Sequence, residues 1–236
     1  MKGLLGLILS LLIVNSTFGQ IKESVQELCV INLYGAKVYK EPTFNSKILT
    51  ELHVGEKIKI EKKINTYDSL KIGEGFLLKG FWIKPKTIDG FVFTSDFTEK
   101  NVGVEINESG QTFINLLGNL LDEKTEVKMI KTENGVFPKY YKYKYYENGT
   151  YTGTSWDPCF DHITKYKNLT LKEVYHQMVS EYSTEFNGIK SRELWIPKFR
   201  EKTGNVIKFE CEGASQDLQI EIMSGRIFEV SSYDCS

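Results

Sequence analysis

Ala36-Lys37-Val38-Tyr39-Lys40-Glu41-Pro42, Ser46-Lys47-Ile48-Leu49, Val54-Gly55-Glu56-Lys57-Ile58-Lys59-Ile60, Phe81-Trp82-Ile83-Lys84 and Asp89-Gly90-Phe91-Val92-Phe93-Thr94-Ser95-Asp96-Phe97 punctuate the first half of the chain as a series of short strands and turns. Ile58 and Ile60 alternate with Lys57 and Lys59, the period-two pattern of a strand with one buried face. Gly55 precedes that strand, where a turn asks for a residue free to take positive φ. Asp89-Gly90 reads as a two-residue hairpin turn between strands at Trp82 to Lys84 and Phe91 to Phe93. Together they predict a small β-barrel over residues 28–100.

The last of these segments carries a resemblance. A glycine, an aromatic and a valine, followed by a serine and a second aromatic, stand here as Gly90, Phe91, Val92, Ser95 and Phe97. This stretch resembles the closing signature of the bacterial SH3-like (SH3b) family, over about one third of the chain. The resemblance implies a barrel that docks on a cell-wall peptide or an envelope protein, with Tyr39, Trp82 and Phe91 as ligand contacts. Lys37 and Tyr39 stand where the family commonly has Asn and Arg, and Glu41 replaces a Gly before Pro42.

Ahead of the barrel, Lys2 is followed by an apolar run from Leu4 to Val14, too short to span a bilayer as a mature helix. Thr17-Phe18-Gly19 then offers small residues at the positions a signal peptidase reads. The expectation is a signal peptide over residues 1–19 and a secreted or periplasmic chain, the alternative being a retained signal anchor. No cysteine closely follows the run, which argues against a lipid anchor. Nothing later approaches transmembrane length, so no membrane span is expected in the mature chain.

Charge is nearly balanced, with a net of −1. Neither half has the basic excess that nucleic acid or an anionic membrane would require. Four cysteines, Cys29, Cys159, Cys211 and Cys235, allow two disulfides in an oxidising compartment. Cys211 and Cys235 flank the final hairpin and are expected to pair, leaving Cys159 to join Cys29 or stay free.

Residues 101–236 read as an α+β domain with its own core, so the whole is mainly β with α+β. A short helix is expected around Phe113 to Leu121, and strands at Glu126 to Ile130 and Val136 to Tyr146. Thr170-Leu171-Lys172-Glu173 is a capping box. Leu171, Val174, Tyr175, Met178, Val179, Tyr182 and Phe186 then recur at helical spacing, and Asn187-Gly188 marks an end. This amphipathic helix should pack on an antiparallel sheet built from Glu193 to Phe199, Val206 to Glu210 and the final hairpin. A three-residue loop, Met223-Ser224-Gly225, sets Ile220 opposite Phe228 and Leu218 opposite Val230.

Candidate chemistry is sparse. Cys159 with His162 or His176 as base makes a nucleophile reading, set against a structural disulfide. His162, His176, Asp157 and Asp161 show no recognised metal-ligand spacing, and no cofactor motif is present. Tyr141, Tyr143 and Tyr145 share one face of a strand, either as a sugar or peptide platform or as a core face. Three sequons, at Asn107, Asn148 and Asn168, carry no weight beside the Thr170 cap. The SH3b resemblance ranks an exported non-enzymatic binding protein, docking on an envelope peptide or protein, first. An envelope inhibitor or immunity-type protein comes next, and a divergent cysteine-dependent wall hydrolase last.

Overall fold

The computed structural model describes residues 26–106, 111–133, 135–156, 158–187, 192–211 and 215–235. The signal-peptide reading and the Asn107 sequon lie outside them. The fold is mainly β, built of antiparallel sheets, with a single α-helix among the described residues.

The first nine strands are β1 (Glu27–Val30), β2 (Ala36–Tyr39), β3 (Ile48–Leu52), β4 (Lys57–Ile64), β5 (Ser69–Gly73), β6 (Phe76–Lys79), β7 (Trp82–Pro85), β8 (Val92–Phe93) and β9 (Phe97–Thr98). A five-stranded sheet runs β8-β7-β4-β1-β9, with β2-β3 and β5-β6 as separate hairpins. Tyr39 and Phe91 exchange both backbone hydrogen bonds at 2.7 Å, joining the β2-β3 hairpin to the entry of β8. Val30, Val38, Ile58, Ile83, Val92 and Phe97 form the core between them. The alternation read at Lys57 to Ile60 is present, with Ile58 buried and both lysines exposed. The turn at Asp89-Gly90 is broader than expected: Trp82 pairs with Phe93 and Ile83 with Val92, so residues 86–91 all belong to the loop. Gly90 takes φ +126°, and a Cβ there would lie 2.7 Å from the Tyr39 carbonyl oxygen. The glycine is needed for the β2 contact rather than for a tight hairpin.

The remaining strands are β10 (Gly103–Ile106), β11 (Thr112–Asn115), β12 (Leu120–Thr132), β13 (Gly135–Tyr146), β14 (Gly149–Trp156), β15 (Cys159–Tyr166), β16 (Thr184–Asn187), β17 (Arg192–Trp195), β18 (Lys198–Thr203), β19 (Val206–Glu210), β20 (Ser215–Ile222) and β21 (Phe228–Cys235), with α1 (Leu171–Tyr182) between β15 and β16. Eight of them form one sheet in the order β12-β13-β14-β15-β21-β20-β19-β18.

Helix α1 begins at the expected capping box. The Thr170 N–H and hydroxyl both donate to Glu173 Oε2, at 2.7 and 2.9 Å. It stops at Tyr182, earlier than the apolar spacing suggests, because Ser183 turns extended and Phe186 belongs to β16. Val174 and Met178 are fully buried against Tyr166, Ile207, Leu218, Ile220 and Val230 of the sheet. Burying a Met side chain of this kind contributes about 1.5–3 kcal/mol.

The opposite side of α1 is buried too, so polar residues there are matched individually. Gln177 Oε1 accepts the Leu116 N–H at 2.7 Å, its Nε2 donates to the Ile114 carbonyl at 3.1 Å, and Ser180 Oγ accepts the Ile114 N–H at 2.8 Å. These bonds hold residues 112–116 extended along the helix, where the sequence suggested a helix at Phe113 to Leu121. Gly118, at φ +79°, then turns the chain towards β12.

The final hairpin also differs from its expected register. Ile222 faces Phe228 and Ile220 faces Val230, with the turn at Ser224–Arg226 closed by the Met223 N–H on the Ile227 carbonyl at 2.9 Å. The shift is two residues, so the same side chains remain on the core face.

Two core clusters form, one within the first unit and a larger one that draws residues from both sides of Lys100. Phe76 and Leu78 of the β5-β6 hairpin leave the first unit and bury against Tyr175 and Phe209 in the larger core. The Lys172 ammonium donates to the Thr94 carbonyl at 2.6 Å and His176 Nε2 lies 3.1 Å from the Ser95 carbonyl. Glu173 accepts the Thr98 hydroxyl. Burial pulls the His176 pKa down to about 3 and pushes Asp96 up to about 6, the latter opposed by the Asn32 hydrogen bond and Lys172.

Candidate functional site

Helix α1 covers only part of its sheet. Beyond Tyr182 the same sheet face continues and floors a cavity of about 590 Å³. Strand register places its residues: Lys142, Lys144 and Tyr146 from β13 stand beside Tyr151 of β14, then His162 and Thr164 of β15 and Asp234 of β21. Glu181, Tyr182 and Ser183 close the helix side, and Cys211 and Ser215 the far side.

Gly153 sets the geometry of the floor. It lies on the same face as Tyr151, and a Cβ there would come within 2.7 Å of the Tyr151 hydroxyl and 3.1 Å of its ring. Without that atom the ring lies across the strand, which carries its hydroxyl to 2.7 Å from His162 Nδ1. His162 Nε2 sits 3.3 Å from Asp234 Oδ2. A carboxylate oxygen only accepts, so this neighbour favours the tautomer with hydrogen on Nε2 and leaves Nδ1 to accept from Tyr151. Tyr151 and His162 are near-parallel at 28° with centroids 6.0 Å apart, and Phe160 continues the row at 14° and 6.5 Å.

Charges in the cavity are largely matched within the protein. Glu123 reaches Lys142 at 3.0 Å and Lys144 at 3.9 Å. The Glu181 carboxylate accepts the Tyr166 hydroxyl at 3.2 Å and Gln177 Nε2 at 2.9 Å. Protein packed around it pushes its pKa up to about 7, against those two hydrogen bonds. The Glu181 side chain is also solvent-exposed through the cavity mouth, and that contact tempers the shift. Burial, reinforced by Glu181, Tyr146 and Asp234, raises the Tyr151 pKa, so the ring stays a neutral phenol.

The cysteines pair differently from the expectation. Cys159 and Cys235 stand directly opposite on β15 and β21 and form the disulfide, while Cys29 and Cys211 are free. Adjacency in sequence favoured Cys211 with Cys235, but the sheet order makes β15 the neighbour of β21 at that end. Cys159 is therefore not a thiolate nucleophile, and His176 lies buried at the β9 side of the helix. The Cys211 thiol is pushed up to about 11 by burial and by Asp234.

The other sequence-derived residues scatter. Trp82 is fully buried against Tyr39, Phe44 and Phe93, with its Nε1 donating to Asp68 at 2.6 Å, so it is core rather than a ligand contact. Tyr39 lines a shallow hollow with Tyr34, Lys37, Phe44, Glu51 and Asp96. Phe91 is half-buried where it bridges to Tyr39. Tyr141 and Tyr143 lie on the sheet face away from the cavity, stacked at 6.2 Å and 6° with the Lys128 ammonium 4.9 Å from the Tyr141 ring. They are half-buried, and Tyr145 is exposed, so this is not a core face.

Nothing in the sequence marks Tyr151 and Asp234 as partners of His162, or Glu181 as part of the same cavity. The available signal was Gly153 inside a Thr- and Tyr-rich strand, a pattern that marks close approach by another group. Among the described residues no group of three or more His, Cys, Asp or Glu is placed to hold a metal ion, and no helix is long and apolar enough to cross a membrane. No family model matches the chain, and no curated protein or solved structure matches it significantly.

Proposed function

We propose that this chain is an exported, non-enzymatic binding protein of the cell envelope. In this reading the first nine strands form an SH3-like unit that docks on an envelope peptide or protein. The larger sheet adds the cavity as a second contact site. The observation that carries it is the Cys159–Cys235 cross-link, which ties together the two strands bearing His162 and Asp234. Such a bond persists in oxidising compartments and pre-organises the site it spans.

Absence of an activated nucleophile among the described cavity residues supports binding over catalysis. Cys211 is held protonated, Tyr151 is held as a phenol, and both His162 nitrogens face protein groups. The docking surface in this reading is the hollow at Tyr34, Lys37 and Tyr39, with Trp82 acting from beneath as support. Co-sedimentation of residues 20–236 with isolated peptidoglycan in low and high salt tests it. Salt-resistant pelleting lost in Tyr39→Ala supports the reading, and no pelleting of the parent chain sinks it.

One feature favours the inhibitor reading as a second. β13 pairs with β14 only from Tyr140 onward, so the β12-β13 ribbon projects alone beyond the sheet. Its end exposes Val127, Met129, Val136 and Phe137, a shape suited to a partner's cleft. A stoichiometric complex with a wall-degrading enzyme, lost in Phe137→Ser, would make this the working function.

A further inference from the structure

We propose that the cavity beyond the end of α1 is a saccharide site, taking a neutral sugar of two or three rings on the Tyr151–His162–Phe160 floor. This rests on the reading of the chain as a binding protein and names the ligand class of its second site.

Three observations converge on that class. The first is shape. Tyr151 is laid across the strand by the missing side chain of Gly153, and its ring continues in a near-parallel row through His162 to Phe160. Phe160 is exposed, so the strip opens outward from the cavity. Aromatic rings with near-parallel planes offer an electron-rich face to the C–H face of a pyranose ring, which is apolar and weakly positive.

The second is charge. Lys142 and Lys144 share Glu123, His162 faces Asp234, and Glu181 is met by neutral donors from Tyr166 and Gln177. Among the described residues the two ammonium groups and the carboxylates of Glu123, Glu181 and Asp234 come close to cancelling, so the lining has no strong excess of either sign to select an ion. A ligand rich in hydroxyls can bridge such pairs, donating to the carboxylates and accepting from the ammonium groups.

The third is the mixture of lining groups at this size. Hydroxyls of Tyr146, Tyr151, Tyr182, Thr164, Ser183 and Ser215 outnumber apolar side chains around about 590 Å³. Tyr151 already bonds His162 and Tyr182 bonds Ser232, but each hydroxyl keeps a further lone pair that a lipid chain or apolar ligand would leave unused and a short saccharide can meet.

The experiment is an NMR titration of the full mature chain, residues 20–236, with cellobiose, chitobiose and maltotriose, beside digalacturonate as the charged control. Shifts should concentrate on β13–β15 around Tyr151 and His162. Tyr151→Ala should weaken the best ligand at least tenfold. Tyr151→Phe, which keeps the ring, should weaken it by less than threefold, and Gly153→Ala, which displaces the ring, should mimic the Ala variant.

Digalacturonate binding tenfold tighter than every neutral sugar would overturn the proposal in favour of an anion site. Absence of shifts at the cavity for all four probes at millimolar concentration would overturn it outright, as would equal affinity in Tyr151→Ala. Amide spectra of the variants report folding independently, so a lost fold is not mistaken for lost binding. Peptidoglycan pelleting that depends on Tyr39 and survives Tyr151→Ala would leave the docking reading intact while the saccharide reading fails. Sugar binding without pelleting would do the reverse.

Discussion

The stretch of sheet under α1 and the stretch beyond it share β15, β20 and β21 and end in opposite states. Where α1 lies on the sheet the interface is apolar, and the helix's polar side chains are bonded on its other side: Gln177 holds Leu116 and Ile114, Ser180 holds Ile114, His176 meets Ser95. Beyond Tyr182 the side chains are as polar, but they face open volume. The difference lies in where the helix stops, and that stop comes from Ser183 rather than from any change in the strands. Coverage closes polar groups into structural bonds, whereas the uncovered ones keep, beside their protein partners, a side that a ligand can meet.

The largest expected effect falls on the uncovered end. Replacing Cys159 and Cys235 together with Ala removes a link between residues 76 apart in sequence and should lower stability by about 4 kcal/mol. Urea unfolding measures it, and an unchanged midpoint would show that the cavity end holds its shape without the bond. On the covered side, Met178→Ala should cost about 2–5 kcal/mol. Tyr151→Ala, facing the cavity, should cost clearly less. Equal losses would erase the distinction between the two regions.

Thr170→Ala should cost about 1 kcal/mol by opening the capping box, seen as a drop in Tm. The smallest effect sharpens the contrast through pH. The Glu181 carboxyl has its pKa raised from 4.5 to about 7, so the folded chain holds that proton more tightly than the unfolded one. Wild type therefore carries a penalty above pH 7 that disappears as pH falls towards 4.5. Glu181→Gln should be the more stable protein at pH 8, by less than about 1 kcal/mol given its solvent contact, and equal at pH 4.5. His176 acts in the opposite sense, because its pKa is lowered from 6.5 to about 3. Its share is complete above pH 6.5 and is lost as pH falls towards 3. The test is thus the difference between variant and parent, with His176 present in both.

What was legible in the sequence was local. The capping box, the alternation at Ile58, the left-handed Gly225 and the Val206–Glu210 strand all follow from neighbours a few residues apart. What was not legible depends on sheet order. The cysteine pairing needed β15 and β21 to be neighbours, although the whole of α1 and five strands lie between them in the chain. The apolar cluster at Ile114, Leu116 and Leu117 carries a helix-like pattern, and only the side chains of α1 make it extended. The cavity shares that origin, since its wall residues come from β13, β14, β15, β16, β20 and β21 and from the end of α1.

One consequence of the sheet order concerns the path to the native state. β21 is the last strand in chain order, yet it sits between β15 and β20 near the middle of the eight. Until it arrives, β12 to β15 and β18 to β20 are two fragments, each with a bare inner edge ready to pair with the wrong chain. The keystone of this arch is laid last, and the cross-link that locks it needs Cys235 at the end of that strand. Pairing of β21 with β15, across α1 and five intervening strands, is accordingly a long-range event.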